Sequence, residues 1–241
     1  MTDVLALHCG LASGAAWRAL AAALPERRLI CPDLPGHGRA PDWDGARDFQ
    51  DQALDLALAA APGGALDVVG HSFGGTLALR LAVEHPGRVR RLALVEPVMF
   101  AAADPAERER HAAEMHPFDA ALDRGDRAAA AAIFHGIWGA GPWGDVPERA
   151  RAQITARIHL IRATEPAILR DVPGILPRLP GDVPVLIVTR REPPAIMASI
   201  VAGLRARMPQ AEAAALGEGH MVPQAVPILL ADRLRAFWSW G

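Results

Sequence analysis

Apolar positions follow two rhythms along this chain. Short apolar runs occur at residues 4–10, 28–32, 66–69, 91–96 and 185–189, with a weaker one at 212–216. Each is too short for a helix and closes in Gly, Pro or polar residues, so each predicts a strand. Between them, apolar residues recur at helical spacing. One helix opens at Ser13 or Gly14, carries Trp17, Leu20 and Leu24, and stops at Pro25. A second is capped by Asp48, carries Leu54, Leu56 and Leu58, and ends at Pro62-Gly63-Gly64. A third covers 76–83 and ends at Pro86-Gly87. A fourth covers 195–208, and a last one runs from Val222 or Pro223 to Trp240. Strands alternating with helices predict βαβ units and a mostly parallel sheet.

From about residue 97 to 180 the strand rhythm disappears. Helical runs at 105–115, 127–137 and 148–163 take its place, rich in alanine. Their bulky side chains include Phe118, Phe134, Trp138 and Trp143, with Met99 and Phe100 just before them. This reads as a helical insertion between two strands of the sheet.

Composition adds bounds. At 241 residues, 51% hydrophobic and 22% charged with a formal net charge of −2, the chain suits one large α/β domain with an insertion. That balance gives no electrostatic case for nucleic acid or a membrane surface. Arginine is scattered, which suits solvated faces. No apolar stretch is long enough to span a bilayer, and no secretory leader is expected. Cys9 and Cys31 fit a reducing cytoplasm, as thiols at strand ends. No Cys/His spacing suggests zinc, and no cofactor is expected. Nothing bears on oligomeric state.

The stretch that carries chemistry is Leu66-Asp67-Val68-Val69-Gly70-His71-Ser72-Phe73-Gly74 followed by a helix. Gly-x-Ser-x-Gly at a strand-to-helix turn is the nucleophile-elbow pattern. A tight turn there lifts the serine hydroxyl clear of the sheet. Gly70 and Gly74 then leave room for backbone to pass without a Cβ in the way. The helix start aims N–H groups where an oxyanion would form. The structural alternative is a glycine-rich turn with an ordinary serine, and the apolar run before it and strong helix after it argue against that. A serine needs a base, and the base needs an orienting group. Of nine histidines, His220 is best placed, on Gly217-Glu218-Gly219-His220 after the last predicted strand.

With these residues in hand, the chain resembles the α/β-hydrolase superfamily over nearly its whole length. His8-Cys9-Gly10 is similar to that family's His-Gly turn, and Asp33-Leu34-Pro35-Gly36-His37-Gly38 to its Asp-x-Pro-Gly-x-Gly loop. Gly70 to Gly74 is similar to its elbow and Gly219-His220 to its histidine loop. The resemblance implies an α/β-hydrolase fold of about six strands flanked by helices, the family's first two strands being absent. It implies a core of residues 1–97 and 181–241, with 98–180 as a helical cap. It implies an oxyanion hole from the N–H groups of Phe73 and Gly10, with Cys9 standing where the family usually has glycine. For the acid, the usual family position falls on Glu192, whereas some members carry it at the position of Glu96. Two points favour Glu96: it ends a purely apolar strand beside the nucleophile strand, where a carboxylate needs a reason, and Val95-Glu96-Pro97-Val98-Met99-Phe100 resembles a subgroup of small bacterial hydrolases. As a purely structural residue, Glu192 would pair with Arg190 or Arg191, and Glu96 would sit in a buried salt bridge.

The function implied is a serine hydrolase for a carboxylic ester, thioester or lactone, working through Ser72, His220 and a glutamate. Two alternatives stay open: hydrolysis of a C–C bond in a diketone, and a ligand-binding module of the same fold with little turnover. The substrate is expected to be a small molecule with an apolar group, touched by Leu11, Met99, Phe134, Trp138 and Trp143. His8 and His71 are expected to brace loops under the site, His37 to order its turn, and Asp33 and Asp67 to be structural. His135 and His159 are candidates for substrate contact. His85, His111 and His116 read as surface or helix-end residues.

Overall fold

The computed structural model describes residues 2–239. Its strands are β1 (Thr2–Leu7), β2 (Arg27–Ile30), β3 (Leu66–His71), β4 (Val89–Val95), β5 (Val185–Thr189) and β6 (Glu212–Ala215). Among the described residues these form one sheet, in the order β2-β1-β3-β4-β5-β6, and every neighbouring pair is parallel. Alternation along the strands explains the layering. Leu5, Leu7, Val68, Leu92 and Ile187 face one side, where α2 (Phe49–Ala60), α3 (Phe73–Glu84) and α8 (Ala195–Arg207) pack. Val4, Ala6, Val69, Ala93 and Val188 face the other, against α1 (Arg18–Ala23) and α10 (Pro227–Trp238). β3 is buried along its whole length, Asp67 and His71 included, so its apolar residues Leu66, Val68 and Val69 fall on both faces.

Between β4 and β5 lie α4 (Pro105–Asp123), α5 (Arg127–Trp138), α6 (Glu148–Arg157) and α7 (His159–Ile168). They share a small core of Phe118, Ala121, Ala130, Ala131 and Ile158. Two boundaries differ from expectation. α4 continues through Pro117 instead of stopping at residue 115, because Phe118 and Ala121 beyond the proline fill that core. The run at 148–163 breaks at Ile158, whose side chain is fully buried, and α7 resumes at His159. The terminal helix is split, with a short α9 (Val222–Ala225) before α10. α10 ends at Trp238, and Trp240 lies outside the described residues. No described helix is long and apolar enough to cross a membrane.

The sheet order reverses at β1: the chain goes from β1 outward to β2, then back across to β3. The crevice at the C-terminal ends of β1 and β3 is therefore the topological switch point, where parallel sheets place their sites.

Candidate active site

At that crevice β3 turns sharply into α3. Ser72 sits on the turn with φ +55° and ψ −119°, outside the common regions for a residue with a Cβ. The flanking glycines permit it. A Cβ on Gly70 would run into the Gly74 carbonyl, and a Cβ on Gly74 into the Leu7 carbonyl of β1. Ser72 N–H is held by Val95 O at 2.9 Å, so the turn is pinned to β4. Phe73 opens α3, and no described group accepts its N–H. A free N–H at a helix N-terminus favours negative charge.

Across the crevice, β1 ends in His8-Cys9-Gly10-Leu11. Two neutral histidines lock this segment to the 33–38 loop. His8 Nδ1–H donates to Cys9 O (2.7 Å), and its Nε2 accepts from Leu34 N–H (3.0 Å). His37 Nδ1–H donates to Pro35 O (2.8 Å), and its Nε2 accepts from Leu11 N–H (3.0 Å). Leu11 N–H is thereby occupied, whereas no described group accepts Gly10 N–H. Asp33 secures the same loop by accepting from Gly14 and Arg39 N–H groups. On the other side, His71 Nε2–H donates to the His220 carbonyl at 2.9 Å and ties the histidine loop to β3.

Burial holds the His8 pKa down to about 4 and that of His71 to about 3, each helped by a neighbouring histidine, against an ordinary 6.5. The unfolded chain takes up these protons below about pH 6.5 and the folded chain does not. Stability therefore falls as pH drops from 6.5 towards 4, by about 1.4 kcal/mol per pH unit for each histidine. Urea unfolding between roughly pH 7 and pH 4.5 should show the midpoint dropping below pH 6.5. A flat midpoint across that range would contradict the buried, neutral state of these rings.

Glu96 follows β4 with φ +48° and no exposed surface. Its N–H donates to Val188 O at 2.7 Å, which fixes it between β4 and β5. Its Oε1 accepts from Arg190 N–H at 2.7 Å. Its Oε2 accepts from Arg190 Nε (3.0 Å) and Nη2 (2.7 Å), and from His220 Nδ1–H at 3.0 Å. Burial by itself would push this carboxyl up. The bonds from His220 and Arg190 outweigh burial and hold it below the ordinary carboxylate range. With Nδ1 engaged, Nε2 is the imidazole nitrogen left for the cavity, which His220 and Ser72 both line. Of the two glutamates that the sequence offers, Glu192 is exposed and makes no contact with His220. Arg190 and Arg191 do not pair with Glu192; they bond Glu96 and Glu218 respectively. Sequence reasoning missed the role of Arg190. Its only trace in the sequence is an arginine directly after the run 185–189, which acquires meaning once β5 pairs with β4.

Above these residues lies a cavity of about 550 Å³, walled by the helices between β4 and β5. Leu11, Gly10, Phe73, Phe134 and Trp138 line it, with Val98, Phe100, Ile154, Ile161 and Ile168. Trp138 sets its ring edge-on to His220 at 5.0 Å. Three expectations need correcting. Met99 is wholly buried in the main core and does not line the cavity, whereas its neighbours Val98 and Phe100 both do. Trp143 sets its ring tilted against His135 at 5.2 Å and packs on the small helical core instead of lining the cavity. His111 is not a surface residue: it is buried and lines the cavity. His135 also lines it, and His159 does not. Asp67 is structural, buried with Arg27 and Arg90 around it. Among the described residues no group of three His, Cys, Asp or Glu is arranged to hold a metal ion.

This arrangement can generate a serine alkoxide equivalent, hold a carbonyl oxygen between two N–H groups, and shuttle one proton through an imidazole. A model of the alpha/beta hydrolase fold family matches residues 4–137. The lipase LipV of Mycobacterium tuberculosis is 31% identical over 97% of this chain and 92% of its own length. A 2-hydroxymuconate semialdehyde hydrolase from a Pseudomonas species is 39% identical over a shorter stretch, 36% of this chain and 32% of that protein. The crystal structure of an alpha/beta hydrolase from Sphaerobacter thermophilus superposes with a TM-score of 0.70 at 22% identity, covering 97% of this chain and 92% of that one.

Proposed function

Because the chain belongs to the alpha/beta hydrolase fold family, we propose that it is a serine hydrolase that cleaves a carboxylic ester, thioester or lactone through a covalent acyl-enzyme. The observation that carries this reading is the hydrogen bond that His220 Nδ1–H donates to Glu96, beneath a cavity that the strained Ser72 also lines. In the proposed mechanism, Ser72 Oγ attacks the substrate carbonyl and passes its proton to His220 Nε2. Glu96 fixes the tautomer and balances the imidazolium charge. Phe73 and Gly10 N–H groups take the oxyanion. His220 returns the proton to the leaving group, and water repeats the sequence to release the acid. The similarity to LipV supports an ester bond as the target.

In this reading residues 98–180 are a cap over a core of 1–97 and 181–241, and the cavity between them holds the acyl or alcohol group. Its apolar wall supports a largely apolar small-molecule substrate. Cytoplasmic residence belongs to the same proposal, with Cys9 and Cys31 as free thiols. Burial pushes Cys9 up to about 12 and Cys31 to about 11, so neither competes with Ser72 as a nucleophile.

A panel of activated esters graded in chain length tests the reading: turnover supports it, and no turnover of any ester, thioester or lactone overturns it. Labelling by a fluorophosphonate without turnover would favour a ligand-binding module. The similarity to a semialdehyde hydrolase keeps C–C cleavage as a second reading; a diketone substrate included in the panel decides it.

The cap assignment makes its own prediction. Trp138 is packed on Phe100, His111 and His220, so Trp138→Ala opens space beside the imidazole. The preferred acyl chain should lengthen by roughly the carbons that fill an indole-sized void. Trp143→Ala should lower only thermal stability. The reverse pattern, measured as kcat/KM across the ester series, would contradict this placement of the wall.

A further inference from the structure

One face of α4 runs along the cavity, presenting Arg108, His111, Ala112, Met115 and Asp119 to it at helical spacing. His111 stands out among them. It is only 6% exposed, on a surface where an aliphatic residue would close the wall at less cost. Phe100 stacks on one face of its ring at 4.6 Å and 17°. Trp138 meets the ring at 5.6 Å and 80°, and the same indole lies against His220. One aromatic ring thus separates His111 from the proposed general base.

Its hydrogen bonding is half complete. Nδ1 lies 3.3 Å from Glu114 Oε2, one turn along the helix. A carboxylate accepts and does not donate, so the proton sits on Nδ1 and the lone pair on Nε2. Burial lowers the pKa of the ring below the ordinary imidazole value, with Glu114 opposing it. No described residue donates to Nε2, that nitrogen keeps some accessible surface, and His111 lines the cavity. Thr164, also buried in the cavity wall, differs: its hydroxyl is already donated to Ile161 O at 2.7 Å.

We propose that His111 is a substrate-recognition residue, whose Nε2 accepts a hydrogen bond from a hydroxyl or amide N–H carried near the reacting carbonyl. The preferred substrates are then esters or thioesters bearing a hydrogen-bond donor on an otherwise apolar group, rather than plain hydrocarbon esters. This deepens the serine-hydrolase reading and rests on it for turnover. An acceptor paired with a substrate donor discriminates because an unmatched analogue that fills the cavity shuts Nε2 off from water and leaves it unpaired.

The test uses matched p-nitrophenyl esters: butyrate, 3-hydroxybutyrate, 3-methoxybutyrate and N-acetylglycinate. The readout is the ratio of kcat/KM within each protein, so any overall change in activity cancels. The wild-type protein should prefer the hydroxy or the amido ester over butyrate about tenfold, and which one shows the geometry of the donor. The methoxy ester, which cannot donate, should lose the preference. His111→Phe, which keeps the stacking on Phe100, should bring the ratio to about 1. His111→Gln, which retains an acceptor, should restore part of it. Equal rates for hydroxy, amido and plain esters in the wild type, a methoxy ester as good as the hydroxy ester, or a preference that survives His111→Phe would each overturn the proposal. Binding of 3-hydroxybutyranilide against butyranilide to Ser72→Ala protein reads the same contact without chemistry. If no ester is turned over, the serine-hydrolase reading fails by itself, and equal binding of the two anilides then overturns the role of His111.

Discussion

Replacing Ser72 with alanine should lower kcat for an activated ester by ~10³-fold or more, while the thermal midpoint stays within a few degrees of the wild type. The hydroxyl would be the group that bonds to the acyl carbon, so without it the covalent route is closed. The backbone strain at φ +55° is shared by alanine and serine, so neither relief nor added strain follows from the change. His220→Ala should fall as far, because nucleophile and base act as a unit. Retained turnover in Ser72→Ala with an unchanged pH profile would sink the mechanism as a whole.

Glu96→Gln should be nearly as severe, lowering kcat by up to ~10⁴-fold. The reason lies in the donors around the carboxylate. Oε1 faces Arg190 N–H, and Oε2 faces both the Arg190 guanidinium and His220 Nδ1–H. A glutamine must turn its NH₂ towards one of these donors whichever way it flips. If it faces His220, the ring adopts the tautomer with its proton on Nε2, and that nitrogen can no longer accept from Ser72. The substitution also leaves Arg190, only 13% exposed, without a counter-charge, which should cost roughly 2–3 kcal/mol of stability. Glu192→Gln changes a solvated side chain and should leave kcat and stability close to wild type. The opposite ranking of the two variants, in kcat measured on folded protein, would refute the assignment.

The layered sheet was legible because its four inner strands carry apolar residues on both faces, and that pattern survives in one dimension. Ser72 was legible for a different reason. The turn admits so few residues beside it that the two glycines are visible in the sequence itself. Glu96 could be singled out from the cost of a carboxylate at the end of an apolar strand. Arg190 could not, because its role depends on β5 lying beside β4, a pairing that no local pattern announces. The helices between β4 and β5 were legible as helices but not in their facing. Met99 and Phe100 are adjacent apolar residues and both pack in the main core, yet only Phe100 also lines the cavity. His111 likewise sits among charged neighbours, Arg108, Arg110 and Glu114, and reads as solvent-facing until Phe100 and Trp138 are folded against it. The break at Ile158 carries no glycine or proline, so only the burial of that side chain marks it.

The central claim is that Ser72 is a nucleophile activated by His220 under the control of Glu96. Timed reaction with a fluorophosphonate, followed by intact mass and peptide mapping, tests it most directly. The account predicts one adduct, on Ser72, that is absent in Ser72→Ala. It also predicts a labelling rate at least ~100-fold slower in Glu96→Gln and unchanged in Glu192→Gln. An adduct that persists in Ser72→Ala, or wild-type labelling of Glu96→Gln, would contradict it.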